Sequence, residues 1–148
     1  MKKALLLFAA LLVAGCGEKA ISEFSLPLSD ANIEQIIKEA VSNDSLQERG
    51  GLLYVKNKSK PYSGWVANRD RDRAKHSEFK EALGMGDVTL YKEGVRHGPS
   101  TTWWGDVKIS EGTYKEGKQE GVWTERTGFN FGPPLQKATY KDGEPVLD

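Results

Sequence analysis

Few groups in this 148-residue chain could carry covalent, acid–base or metal chemistry: one cysteine, Cys16, and two histidines, His76 and His97. A zinc centre draws on Cys, His and carboxylate ligands at set spacings. Neither histidine has a cysteine partner or a regularly spaced acidic set near it in sequence. No serine stands in a nucleophile-elbow context. Gly84-Met85-Gly86 lacks the preceding strand, the lysine and the following helix that make a phosphate-binding loop. The acids Glu93, Glu116 and Asp142 each stand directly before a glycine, as turn residues do, and His97 fills the slot held by Glu120 in a similar stretch further on. These residue types predict no catalytic grouping, no metal site and no cofactor, so a non-enzymatic protein is expected.

Cys16 is the exception, because of what precedes it. Lys2 and Lys3 form a short basic start, Ala4 to Ala14 are an unbroken apolar run, and small residues lead to Gly15-Cys16. This is the layout of a secretory signal peptide. The run is much shorter than the roughly 20 residues that span a bilayer core. Val13-Ala14-Gly15-Cys16 resembles the lipobox of bacterial lipoproteins. That resemblance implies cleavage after residue 15, acylation of Cys16 and a lasting membrane anchor, since two or three acyl chains hold far more firmly than one. Gly17 in place of an aspartate is similar to the lipoproteins that enteric-type bacteria pass to the outer membrane, which implies a periplasmic domain there. With no second cysteine, the mature chain has no internal disulfide even in an oxidising compartment.

Removing residues 1–15 of the 148 leaves 133, enough for a single domain. Taking Lys2 and Lys3 from the 21 basic residues leaves 19 against 21 acidic ones, a net charge of −2. No basic stripe interrupts this balance, so no nucleic-acid partner is expected.

The elements that must position everything else follow in order. Residues 16–28 read as the lipidated cysteine and its tether, and residues 29–148 as the domain. Ile33, Ile36, Ile37, Ala40 and Val41 recur at helical spacing between polar residues, which predicts one amphipathic helix over 30–42 capped by Ser29 or Asp30. Beyond Gly50-Gly51 the chain repeats itself. Tyr91-Lys92-Glu93-Gly94-Val95-Arg96-His97-Gly98 is echoed by Tyr114-Lys115-Glu116-Gly117-Lys118-Gln119-Glu120-Gly121 and, more briefly, by Tyr140-Lys141-Asp142-Gly143. A degraded earlier copy spans Tyr54 to Trp65. Such spacing marks repeated supersecondary units. Lys-Glu-Gly is tight-turn chemistry, so each unit is predicted to be a β-hairpin. Gly94, Gly98, Gly117, Gly121 and Gly143 are predicted structural turn residues, with Gly117 the most sensitive because it joins the two clearest units. The alternating charges of Arg69 to Lys75 read as a solvated hairpin tip.

Tyr-Lys-x-Gly-x-x-x-Gly, followed by a Trp-bearing strand and by Ser110-Glu111-Gly112-Thr113-Tyr114, resembles the variant MORN repeat of bacterial YwqK-type antitoxin proteins. The resemblance covers about residues 50–145 and departs from the pattern near Arg69 to Lys75 and at Gly128 to Pro134. It implies a mainly β fold, an antiparallel β-meander of hairpins in a single sheet, here joined by the short N-terminal helix. It specifies a hairpin more than an activity.

The aromatic residues are the remaining resource. Adjacent strand residues point to opposite faces, so one of Trp103 and Trp104 must leave the core. Trp103, Trp104, Trp123 and Tyr114 are the candidate partner-binding residues. The expected function is a membrane-anchored protein-binding or scaffold module of the cell envelope. The alternatives are an antitoxin or immunity protein that neutralises a toxin, and an envelope enzyme.

Overall fold

The computed structural model describes residues 26–69, 86–105, 107–126 and 136–147. Cys16, His76, the charges from Asp70 to Lys75 and the stretch Gly128 to Pro134 lie outside them. In chain order come helix α1 (Asp30–Glu39) and strands β1 (Val41–Ser42), β2 (Leu46–Arg49), β3 (Leu52–Val55), β4 (Gly64–Arg69) and β5 (Gly86–Lys92). These are followed by β6 (Val95–Trp104), β7 (Val107–Lys115), β8 (Lys118–Glu125), β9 (Gln136–Lys141) and β10 (Glu144–Pro145). Eight strands make one sheet in the order β1-β4-β5-β6-β7-β8-β9-β10, and β2 and β3 make a separate hairpin. All pairs are antiparallel except β1 with β4. The fold is the expected hairpin meander with one short helix.

Ser29 starts the helix with a capping box. Its Oγ accepts the Asn32 N–H at 3.2 Å, and its own N–H donates to Asn32 Oδ1 at 3.3 Å. The helix ends at Glu39, three residues before the predicted limit of residue 42. Ala40 turns extended, and Val41 and Ser42 pair in parallel with Val66 and Ala67. Val41 continues the helical spacing, but as a β-branched residue it is well suited to a strand, and here it covers the outer edge of β4.

One face of the sheet takes the helix. Leu28, Ile36, Trp65, Val88, Leu90 and Trp103 form the core, with Leu26, Ile33, Ile37, Ala40 and Ala67 packed around them. Burying an aliphatic side chain of this size contributes roughly 1.5–3 kcal/mol. Beyond the helix, the same face is held by a polar clamp. Glu111, 8% exposed, faces the segment that precedes the helix. Its Oε1 accepts the Leu28 N–H at 2.8 Å and the Lys108 ammonium at 2.9 Å, while Lys108 Nζ also donates to the Leu28 carbonyl at 2.8 Å. Thr101 Oγ1 donates to the same carboxylate oxygen at 3.3 Å. Both backbone polar groups of Leu28 are thereby satisfied by one ion pair on β7, and its side chain can be buried.

The repeat is built as a staircase at the turns. Glu93, Glu116 and Asp142 have φ of 50°, 52° and 53°, and the glycines after them 84°, 85° and 89°. Two successive positive φ values make the tight turn that matches strand twist. Each turn then docks on the tier before it. The N–H groups of Gly94, Gly117 and Gly143 donate to the carbonyls of Tyr62, Arg96 and Gln119 at 2.7, 2.8 and 3.0 Å. One residue on, Ser63 Oγ, His97 Nδ1 and Glu120 Oε2 accept the N–H groups of Glu93, Glu116 and Asp142 at 2.8, 3.4 and 3.0 Å. The stretch Tyr62-Ser63-Gly64 is thus the first tier of the same staircase, in the copy that the sequence shows as degraded.

Gly98 and Gly121 are not turn residues. They lie inside β6 and β8, where the pairing register shifts, and face the tyrosine of the following unit, Tyr114 and Tyr140. Among the true turns, Gly94 rather than Gly117 is the most demanding. A Cβ there would sit 2.9 Å from the Leu53 backbone nitrogen and from Leu52 Cβ, against 3.1 Å to the Val95 methyl at Gly117 and 3.4 Å to Lys118 at Gly143. Backbone cannot move aside as a side chain can. Gly94→Ala is therefore expected to cost about 2–3 kcal/mol, and the other two nearer the ~1 kcal/mol of backbone strain alone. Thermal unfolding of the three variants checks the order.

Candidate functional site

The face turned away from the helix gathers most of the polar aromatic side chains. Strand alternation and register place Tyr91, Arg96, Tyr114, Trp123 and Tyr140 on it. Arg96 stands directly across from Tyr91. Its Nε donates to Tyr91 Oη at 3.3 Å, and its guanidinium carbon lies 5.3 Å from the centre of the Tyr114 ring. The bond to Tyr91 is the largest influence holding Arg96 more firmly protonated than a free arginine. The guanidinium therefore links two tyrosines of successive repeats by a hydrogen bond and a cation–π contact, while the residue stays exposed.

Further along, Trp123 is 4% exposed. Its ring lies over Gly112, edge-on to Tyr114 with centroids 5.0 Å apart and to Tyr140 at 6.5 Å. Its indole N–H donates to the Thr113 carbonyl at 3.1 Å. On the other side of Arg96 the face is polar. Thr89 Oγ1 and Ser100 Oγ, both buried, are 2.8 Å apart, and Asp87 lies between Asn68 and Thr102 in the strand register.

Burial pushes the Asp87 carboxyl above the usual aspartate range, against the opposing pull of its hydrogen bond from Asn68 and the charge of Arg96. A raised native pKa means that the folded state binds the proton more tightly than the unfolded chain. Stability contributed by this group is complete below the ordinary aspartate value and is lost as pH rises through the raised one. Asp87→Asn is expected to raise Tm at pH 7, with the gain vanishing in acid. Melting curves of parent and variant across pH check this.

The sequence-predicted residues divide. Trp103 is 6% exposed in the core beneath the helix, and Trp123 is enclosed by tyrosines, so neither offers an open surface. Trp104 points to the other face and is 43% exposed, and Tyr114 is half-buried. Glu93, Glu116 and Asp142 serve as left-handed turn residues, and His97 accepts a backbone N–H. Among the described residues no three His, Cys, Asp or Glu side chains come together as metal ligands. Arg96, which joins Tyr91 and Tyr114 on this face, is a residue that the sequence pattern does not single out. Its signal was a basic residue in the slot that holds Gln119 in the next unit. Comparison with known proteins returns no match: no family model, no curated protein and no solved structure matches the chain.

Proposed function

We propose that this chain is a lipid-anchored binding module of the cell envelope, tethered through Cys16, which holds a protein partner on the sheet face opposite its helix. The observation that carries the reading is the composition of that face. Tyr91, Arg96 and Tyr114 are fixed against each other, and Trp104 is exposed on the same side, while the helix and the Leu28 segment occupy the other. Tyr, Trp and Arg are the residues that dominate protein-binding energetics. They are presented on a rigid ladder of paired strands, so little ordering entropy opposes binding. No helix of the described residues is long and apolar enough to cross a membrane. A lipid on Cys16 would supply the membrane attachment.

Two experiments test the parts separately. Growth with a labelled fatty acid should mark the parent and not Cys16→Ser; label on both, or on neither, removes the anchor. For the binding face, a photoreactive residue at position 104 in intact cells should give a discrete adduct. The same residue at Lys38, exposed on the helix, should not. Equal adducts from both positions, or none from position 104, would count against a partner on this face.

A further inference from the structure

We infer that Arg96, framed by Tyr91 and Tyr114, is a preformed receptor for a carboxylate, and that the partner of this face presents an acidic side chain to it. The inference rests on the binding-module reading and adds the chemistry of the partner.

Three observations lead to it. The guanidinium is immobilised: Nε is bonded to Tyr91 Oη at 3.3 Å and the group lies against the Tyr114 ring at 5.3 Å. Its flexible stem is therefore ordered before any ligand arrives. It is also exposed, at the centre of two half-buried phenol rings rather than at the end of a free side chain. Finally, among the described residues Arg96 has no ion-pair partner: its contacts there are with tyrosines, while Lys108 and Glu111 pair on the other face. Asp87 feels its charge without meeting it in an ion pair.

With Nε bonded to Tyr91 and a further hydrogen bond toward Tyr114, the guanidinium still has N–H groups on its terminal nitrogens, and these can donate to the oxygens of a carboxylate. The cation–π contact with the Tyr114 ring helps to hold the group in place. A lysine lacks the planar, many-donor guanidinium, so the site should discriminate between the two cations. The lysines of the turn edge, Lys92, Lys115 and Lys141, alternate with the acids Glu93, Glu116 and Asp142. They give no comparable local excess of positive charge. An acidic side chain on a protein surface fits this single, directional cation better than a polyphosphate or an anionic bilayer, both of which reward many dispersed lysines.

The test uses the full chain in detergent with poly-L-glutamate as probe, read by biolayer interferometry. Binding by the parent is expected to weaken about tenfold or more in both Arg96→Gln and Arg96→Lys, the loss of a charge-assisted, many-donor contact. Lys115→Gln, one strand over on the turn edge, is expected to change affinity less than about twofold. Circular dichroism of each variant establishes that it is folded, and Tyr114→Leu should weaken the probe while leaving the charge in place. Parent that ignores poly-L-glutamate overturns the inference and leaves the adduct at position 104 to decide the binding module on its own. Equal losses in Arg96→Gln and Lys115→Gln would reduce the effect to diffuse charge. Arg96-dependent binding of phosphatidylglycerol vesicles without binding of poly-L-glutamate would replace the carboxylate by a phosphate.

Discussion

Replacing Gly112 with alanine is expected to destabilise the domain by about 2–4 kcal/mol, the range of a forced overpacking with loss of aromatic burial. The cause is steric and local. An added Cβ would sit 2.1 Å from Trp123 Cδ2 and 2.3 Å from Cε2, inside any real contact distance. The ring cannot slide aside, because Tyr114 and Tyr140 stand edge-on to it and its N–H is committed to the Thr113 carbonyl. Gly112 is not at a positive φ, so backbone strain plays no part. Urea unfolding measures the loss. A second substitution, Trp123→Leu, should make Gly112→Ala much less costly than it is in the parent, since the obstacle is then gone. If Gly112→Ala melts like the parent, the indole does not lie where it is described.

Glu111→Ala should cost about 2–4 kcal/mol, the lower part of the effect of breaking a buried ion pair because Lys108 retains some contact with water. Removal of the carboxylate leaves the Leu28 N–H without its acceptor at 2.8 Å and the Lys108 ammonium without its counter-ion. Hydrogen exchange locates the effect. The Leu28 amide should lose protection far more than the amides of β5, whose ladder the substitution leaves intact. Adding Lys108→Met should return part of the lost stability, because an apolar side chain carries no charge to be left unpaired. Unchanged exchange at Leu28 would mean that the clamp does not hold this segment.

The hairpins, their glycines and the helix start were legible because each is encoded within a few residues of itself. Lys-Glu-Gly names its turn, and Ser29 with Asn32 names its cap. The helix end was misread because Val41 satisfies the helical spacing while its backbone is taken by Val66, 25 residues away in sequence. Gly98 and Gly121 look like turn residues, and only the register against the preceding strand reveals them as places where pairing skips. The support under each turn was hidden for a related reason. Ser63, His97 and Glu120 differ chemically, yet all three accept a backbone N–H in the same slot, so the repeat conserves a hydrogen bond and not a residue type. At the candidate site, the opposition of Trp103 and Trp104 followed from strand alternation alone. The tyrosines that meet Arg96, and the Leu28 and Thr101 groups that meet Glu111, come from other strands or from the segment before the helix, and no local pattern marks them.

The position of the clamp also fixes how the domain meets a mechanical load. A pull on the chain ahead of Leu26 reaches Leu28 before it reaches α1, and Leu28 is fastened to β7, the fifth strand of eight, with ladders on both sides. Tension therefore enters an interior strand and is shared across the sheet in place of peeling an edge. Under such a load the hydrogen bonds at Leu28 and the burial of its side chain in the core must both give way before α1 is pulled.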